Sequence, residues 1–300
     1  MTNDSSFPRV IDSTMINDFR RCPQLFYERY IACLKPAGES VDLVFGAAFA
    51  KGIEVARRSF YYEAFSPEQS IMRGANAALQ EWGDFQEPIG HKKNLKTLLL
   101  AHSEYFEQWP ISDPPYPLNP ASIEYTFSHA LPNIRHPDTG DAITYGGRFD
   151  MLGGDQFNEI YPVDEKTTGS PFFNWAEGWK LWGQFIGYIW ACQNSGYPSV
   201  RKLLVRGIYI NSTSNKFVQH FAEATDTVIA RWLDDLQEDI ERMIWMYNRR
   251  KFRRVFGTAC KVYRPCPFIP LCEATKREDW ISMYEQSPQW NPLIRSGGEL

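Results

Sequence analysis

Two carboxylates and a lysine occur close together in the middle of the chain, in segments that have the composition of neighbouring strands. Asp150 ends one segment, and Asp164 and Lys166 lie on the next. Because alternate residues of a strand share a face, Asp164 and Lys166 point together and Glu165 points the other way. Carboxylate oxygens bind Mg²⁺ or Mn²⁺, the metal activates water, and a lysine orients that water or stabilises the negative transition state. These side chains predict hydrolysis of a phosphodiester bond.

The spacing of the two carboxylates sets a geometric condition. Their strands are expected to turn at 153–155, and a flat register around that turn does not place Asp150 directly opposite Asp164. Twist or splaying of the strands is therefore needed to bring the carboxylates together. A D-x-K triplet by itself also occurs on solvated strand faces, so the surrounding elements decide between the two interpretations.

The first third of the chain has the periodicity of helices. Ser13 is the expected N-cap of a first helix, and Pro23 either kinks that helix or begins a second one. Further helices are expected at 45–62, 66–84 and 94–109, followed by a proline-rich stretch at 110–120.

The rest of the chain alternates strands with helices. Strands are expected at 122–131, 143–152, 159–168, 203–210 and 216–222, the last two joined by a turn at 211–213. Aromatic residues at helical spacing predict a helix within 175–193, and Thr225 or Asp226 is expected to cap a long amphipathic helix. The pattern predicts an α/β fold with a small mixed sheet flanked by helices.

The composition excludes several classes of protein. With 300 residues, of which 43% are hydrophobic and 23% charged, the chain can bury a core. No apolar run approaches the roughly 18 residues of a membrane span, and the polar segment 1–9 lacks the apolar stretch of a signal peptide. The cytoplasm is therefore the expected compartment. A net charge of −4 argues against a generally basic nucleic-acid coat.

A local basic cluster nevertheless follows the long predicted helix. Phosphate contacts are the favoured interpretation, and a solvated helix end, where cations suit the helix dipole, is the alternative. The residues assigned to DNA contact are this cluster and one arginine beside Asp150: Arg249, Arg250, Lys251, Arg253, Arg254 and Arg148.

Three motifs follow one another through the predicted core. They are Gly147-Arg148-Phe149-Asp150, then the segment 163–169 with its D-x-K-T, and then Gln184 and Tyr188, four positions apart and so on one helix face. This series resembles the RecB branch of the PD-(D/E)XK nuclease superfamily. The resemblance implies a restriction-endonuclease-like core between a helical part at 1–120 and a cysteine-rich tail at 257–300, with the core at 121–256, all in one integrated domain.

The resemblance also implies a role for each motif residue. Asp150 and Asp164 would bind the metal, and Lys166 would position the nucleophilic water. Gln184 and Tyr188 would line the active-site groove and contact DNA or the substrate phosphate.

One expected ligand of the family is missing. Two earlier segments also resemble family motifs, and they are 13–26 and 45–54. In the second segment, Ala50 stands where many members carry a metal-binding histidine. Metal binding would therefore fall to the two aspartates and the carbonyl of Glu165, assisted by Glu54 or Glu124.

Three cysteines lie close together in the tail. Cys260, Cys266 and Cys272 form C-x5-C-x5-C, which is wider than the C-x2-C of zinc ribbons, so structural zinc and scattered buried thiols stay as alternatives. The resemblance extends to RecB-like CRISPR-associated, AddB-type and phage-encoded nucleases, and it selects Cys22 as the fourth ligand of a [4Fe–4S] cluster. Such a cluster would join the N-terminal helix to the tail. The other two cysteines are expected to be ordinary buried thiols.

The function that the resemblance implies is a Mg²⁺- or Mn²⁺-dependent deoxyribonuclease. Exonuclease action on DNA ends or single strands is favoured over site-specific cutting, in phage-type recombination, repair or replication. DNA is the expected partner, together with a recombination or replication protein. Two alternatives stay open. Ala50 could mark a weakened nuclease that binds DNA ends as a scaffold, or the chain could be the spacer-acquisition nuclease of a CRISPR system.

Overall fold

The computed structural model describes residues 6–169, 175–211, 213–261 and 265–294. The central residue of the turn expected at 211–213 lies outside these ranges. The α-helices of the described residues are α1 (Ser13–Arg21), α2 (Pro23–Phe26), α3 (Val41–Tyr62), α4 (Pro67–Trp82), α5 (Leu95–Gln108), α6 (Trp175–Gly178), α7 (Gly183–Asn194), α8 (Asp226–Asn248), α9 (Ile269–Glu273) and α10 (Glu278–Ile281). No helix in the described ranges is long and apolar enough to cross a membrane.

Over the same described ranges, the strands form one mixed sheet and one short antiparallel pair. The strands are β1 (Val10–Ile11), β2 (Leu34–Pro36), β3 (Tyr116–Pro117), β4 (Ile123–Arg135), β5 (Ala142–Gly154), β6 (Ile160–Thr168), β7 (Lys202–Tyr209), β8 (Lys216–Glu223) and β9 (Tyr284–Gln286). β5 and β6 are antiparallel, β6 and β7 parallel, and β7 and β8 antiparallel. The predicted α/β fold with a mixed sheet and flanking helices is confirmed.

Local capping explains where the first helices begin. Asp12, and not the expected Ser13, caps α1, because its Oδ1 accepts a hydrogen bond from the backbone N–H of Met15 at 2.7 Å. Pro23 begins the separate helix α2. Reciprocal capping boxes at Ser66 and Asn94 begin α4 and α5.

Two sequence predictions in the second half need correction. The stretch 175–193 is two helices, α6 and α7, because the chain leaves helical geometry at Leu181, whose φ is +55°. The turn between β5 and β6 lies after Gly154, at Asp155, whose Oδ1 accepts hydrogen bonds from the backbone N–H groups of Phe157 and Glu159.

The Cα positions divide the chain into two compact units. One contains 1–38, 126–147 and 230–300, and the other contains 39–125 and 148–229. The predicted division into three sequential parts within one domain stays a prediction. The second unit has a core in which α3, α4 and α5 bury apolar side chains such as Phe45 and Phe49 together with Ile208 of β7.

Candidate active site

The register of β5 and β6 brings the two predicted metal ligands to one place. Met151 pairs with Val163, and one further step along this register sets Asp150 opposite Asp164. The backbone N–H of Glu165 instead donates to Oδ2 of Asp150 at 2.5 Å. The side chain of Asp150 therefore takes the place of the β5 backbone as acceptor, and the backbone pairing of the two strands ends here. The observed register differs from the one expected for a turn at 153–155, because β5 continues to Gly154 and the turn follows it.

Lys166 and Asp164 share a face of β6, as the alternation of the strand predicts. Lys166 Nζ lies 2.7 Å from Oδ2 of the buried Asp164. A buried carboxylate oxygen is costly unless a cation or donor approaches it, and the ammonium of Lys166 is the cation that stands beside this one.

The carboxylates of the site resist ionisation. Burial first, and then the negative charges of Glu165 and Asp164, raises the pKa of Asp150 well above its usual value. Burial also raises the pKa of Asp164, although Lys166 partly opposes this. Burial by itself would lower the pKa of Lys166, but the nearby aspartates raise it, so the lysine stays a cation.

The donor atoms suit a hard divalent cation. Mg²⁺ is commonly held by one or two carboxylates, with water and substrate phosphate as the other ligands. Asp150, Asp164 and the carbonyl of Glu165 offer hard oxygen donors of this kind. Within the described ranges no three His, Cys, Asp or Glu side chains form a group that could hold a metal by themselves.

The side chain of Glu165 lies on the opposite face of β6. Its Oε1 is 2.6 Å from Nη2 of Arg57 on α3 and accepts a 2.8 Å hydrogen bond from the hydroxyl of Tyr105 on α5. Burial by itself would raise the pKa of Glu165, but Arg57 lowers it below the usual value. Glu165 can therefore offer a metal only its backbone carbonyl, as the sequence suggested.

The two assisting glutamates have cationic neighbours. Glu124 Oε2 lies 2.7 Å from Arg148 Nε, so Arg148, assigned to DNA contact, is ion-paired. Glu54 on α3 contacts Lys51 and Arg58 of its own helix at 3.0 Å each. Negative charge on Glu124 contributes to the raised pKa of Asp150, which is consistent with its nearness to the site. The metal-binding roles of both glutamates stay predictions.

Gln184 and Tyr188 form a hydrogen-bonded chain to β5. Gln184 Nε2 donates to the Tyr188 hydroxyl at 2.8 Å, and that hydroxyl donates to the carbonyl of Arg148 at 2.8 Å. Arg148 precedes Asp150 by two residues, so this contact positions the strand that carries the aspartate. The predicted contact of both side chains with substrate stays a prediction.

Sequence reasoning missed Arg57, which the structure places directly behind the site. The signal was present in α3, where Phe45, Phe49, Ile53 and Arg57 follow one another at intervals of four. Such residues share one helix face, so a charged residue that continues an apolar stripe predicts a buried partner. Glu165 is that partner, and no local pattern connects the two positions.

The four predicted cluster cysteines belong to the other compact unit. Cys22, Cys260, Cys266 and Cys272 line one cavity of about 30 Å³. Cys22 Sγ lies 3.4 Å from the backbone N of Val255, and the backbone N–H of Cys266 donates to the carbonyl of Cys260 at 2.7 Å. The segments that carry these cysteines therefore border one cavity, although the thiols do not form a closed ligand group there. Cys33 and Cys192 are buried elsewhere, as expected.

The basic cluster lies at the end of α8 in the same unit as the cysteines. All five of its side chains are exposed, and the guanidinium of Arg249 stands 4.7 Å from the ring centroid of Trp245. Arg254 also lines the cysteine cavity. These positions leave the cationic groups open to an anionic partner.

A mixed sheet that carries two aspartates and a lysine where two strands separate defines a class of phosphodiester-cleaving proteins. The chain matches the model of the PD-(D/E)XK nuclease superfamily over residues 13–273 and belongs to that superfamily. Nucleases of this superfamily use divalent metals in general.

Individual relatives are more distant. A comparison with curated proteins gives no match. Among solved structures, the chain is similar to a "putative exonuclease" from Eubacterium rectale at 14% identity and a TM-score of 0.49, covering 85% of this chain and 88% of that one. It is also similar to SSO0001 at 15% identity and a TM-score of 0.34, covering 80% and 98% of the two chains.

Proposed function

We propose that the protein is a metal-dependent deoxyribonuclease that acts as an exonuclease on DNA ends or single strands. The observation that carries the proposal is the meeting of Asp150, Asp164 and Lys166 where β5 and β6 separate. Membership of the PD-(D/E)XK nuclease superfamily supports the same reaction class. The choice of exonuclease rests on the motif resemblance to RecB-like nucleases.

Each residue of the site has a separate task in this mechanism. A divalent metal, when bound, would activate water and neutralise charge on the scissile phosphate. Asp150 and Asp164 would hold it, and the N–H of Glu165 keeps Oδ2 of Asp150 in place. Lys166, held as a cation beside Asp164, orients the attacking water or stabilises the phosphorane-like charge. The exposed cluster Arg249–Arg254 would contact DNA phosphates.

The decisive test compares two lysine variants on end-labelled single- and double-stranded DNA with Mg²⁺ or Mn²⁺. Lys166→Ala should lower cleavage by roughly 10²- to 10³-fold, as the loss of one electrostatic group does in other sites. Lys202→Ala is the matched control, since Lys202 lies on β7 of the same sheet and pairs with Glu159 at the surface. Equal activity of the two variants, or wild-type protein that never cleaves, would contradict the proposal.

The exonuclease assignment has its own test. Linear DNA should be degraded from its ends, whereas a covalently closed circle of the same sequence should persist. Cutting of the circle at the same rate would make the protein an endonuclease. The labelled product ladder from linear DNA would also give the direction of digestion.

We also propose that Cys22, Cys260, Cys266 and Cys272 hold a [4Fe–4S] cluster that joins both ends of the chain. The supporting observations are that all four cysteine residues line one cavity and that thiolates alone suit iron–sulfur ligation. Anaerobically purified protein should show visible absorbance and about four irons per chain. Cys266→Ser should lose both, whereas Cys33→Ser should keep them. Stoichiometric zinc in place of iron would instead show that these cysteines form a structural zinc site.

A second function is favoured by one position. Ala50 on α3 has no ligating side chain where the family motif expects histidine, which suits a weakened nuclease that binds DNA ends as a scaffold. Such a protein would bind DNA ends while wild type and Lys166→Ala cleave equally poorly.

The other alternative, a spacer-acquisition nuclease, would require a partner integrase, which co-purification would show. A phage recombination role is compatible with either outcome.

A further inference from the structure

A buried network stands behind the candidate active site. Arg57 Nη2 lies 2.6 Å from Oε1 of Glu165, and Arg57 Nη1 lies 3.4 Å from its Oε2. The two side chains are only 6% and 4% exposed. Both carboxylate oxygens therefore face the fork of one guanidinium, the geometry that fixes a carboxylate in direction as well as in distance.

The hydroxyl of Tyr105 connects this pair to a second arginine. It accepts hydrogen bonds from Arg57 Nη2 at 2.9 Å and from Arg206 Nη1 at 3.1 Å, and it donates to Glu165 Oε1 at 2.8 Å. The guanidinium of Arg206 also stands 4.8 Å from the ring centroid of Trp109. Residues of α3, α5 and β7 thus hold one side chain of β6.

Glu165 is the point at which the two faces of β6 are coupled. Its side chain is bound by the network on one face, and its backbone N–H donates to Oδ2 of Asp150. A shift of the Glu165 side chain turns its peptide, and the N–H then leaves the aspartate. The preceding residue is Asp164 and the following one is Lys166, so any such shift disturbs all three groups of the site.

We propose that Arg57 and Tyr105 are positioning residues for the metal site, acting through Glu165 on the distance and direction between Asp150 and Asp164. This inference rests on the proposed metal-dependent function and adds residues that touch neither metal nor substrate. Groups that orient metal ligands in this way typically change metal affinity by 10- to 100-fold when they are removed.

The first experiment measures Mn²⁺ binding by calorimetry in wild type, Tyr105→Phe and Tyr61→Phe, without DNA. Tyr105→Phe removes only the hydroxyl that joins the network. Tyr61→Phe is the matched control, because it removes a hydroxyl that donates to the carbonyl of Ile111 at 2.6 Å in the same unit. Unfolding by urea is followed for each protein to compare the loss of stability.

We expect Tyr105→Phe to weaken Mn²⁺ binding about tenfold, while Tyr61→Phe binds Mn²⁺ as wild type does at a similar cost in stability. Equal Mn²⁺ affinity of the two variants would overturn the positioning role and leave the proposed nuclease untouched. Absence of Mn²⁺ binding in wild type itself would instead overturn the metal site. In steady-state cleavage of DNA by Tyr105→Phe, we expect kcat to change more than KM.

A second pair of variants covers the case in which Tyr105→Phe fails to fold. Arg57→Lys keeps the charge and loses the fork, so it should also weaken Mn²⁺ binding. Arg73→Lys makes the same change in an arginine that contacts Ser59 and Glu63 away from Glu165, and it should bind Mn²⁺ normally. Equal Mn²⁺ affinities in this pair would contradict the proposal as well.

Discussion

In the second unit, the surroundings of each buried polar side chain raise or lower its pKa and so set its charge. Glu165 lies against Arg57 and stays ionised. Asp164 has Lys166 beside it, 2.7 Å from its Oδ2, but burial nevertheless raises its pKa. His102 on α5 is buried, its Nε2 has no hydrogen-bond partner in the described part of the chain, and burial lowers its pKa from 6.5 to about 4.

His102 predicts a pH dependence of stability. Because the pKa is lower in the folded state, protons favour the unfolded chain. The contribution of neutral His102 is complete above about pH 6.5 and is lost as the pH falls toward 4, by about 3 kcal/mol in all. Urea unfolding across this range should show a shallower pH dependence in His102→Gln than in wild type. A wild-type slope in His102→Gln would contradict the assignment.

At the scale of elements, two glycines allow α3 and α4 to lie against each other and against His102. A Cβ at Gly74 would stand 2.8 Å from Nε2 of His102 and 2.9 Å from Cβ of Ala56, and it would overlap the carbonyl oxygen of Gly52. A Cβ at Gly52 would in turn lie 2.8 Å from Cδ2 of His102. Helix packing here depends on the absence of side chains.

Substituting a closely packed glycine and one with open space beside it should therefore distinguish the effect of packing on stability from the effect of helix propensity. Gly74→Ala is expected to lower the free energy of unfolding by about 3 kcal/mol, because backbone and ring atoms cannot move away cheaply. Gly46→Ala on α3 meets nothing within 4 Å and should raise stability by up to about 1 kcal/mol through helix propensity. Chemical denaturation measures both. A similar effect of the two substitutions would show that the helices are less closely packed.

At the scale of the whole molecule, each compact unit is assembled from segments far apart in the sequence. The first unit joins the N-terminal residues 1–38 to the C-terminal stretch 230–300. The side chain of Glu28 is only 1% exposed, and its carboxylate accepts hydrogen bonds from both terminal nitrogens of Arg277, with Nη1 2.6 Å from Oε1. The same carboxylate also accepts a hydrogen bond from Nε2 of Gln24. The pairing connects positions 249 residues apart.

Loss of this ion pair should destabilise the first unit. Arg277→Ala leaves the carboxylate of Glu28 buried and without its cation, which costs about 3 kcal/mol in comparable pairs. Arg242→Ala removes an exposed pair with Glu238 and should cost less than about 1 kcal/mol. Thermal unfolding of both variants tests the difference. If Arg277→Ala were as stable as Arg242→Ala, the pair would not hold the tail in place.

Features that depend on near neighbours along the chain can be predicted from the sequence. Helix starts at Ser66 and Asn94 follow from side chains three residues away, and the common face of Asp164 and Lys166 follows from the alternation of a strand. The motif order was sufficient for the superfamily that the chain matches. Errors arose where a local rule allowed two answers, as at the cap of α1.

Contacts between residues far apart in the sequence could be seen only in the folded chain. The turn at Asp155 set the register that places Asp150 opposite Asp164. Arg57 and Glu165 are 108 positions apart, and no periodicity of either segment encodes their pairing. Such contacts form because a buried charge must find a partner in three dimensions, and a sequence pattern shows the need for that partner without showing where it lies.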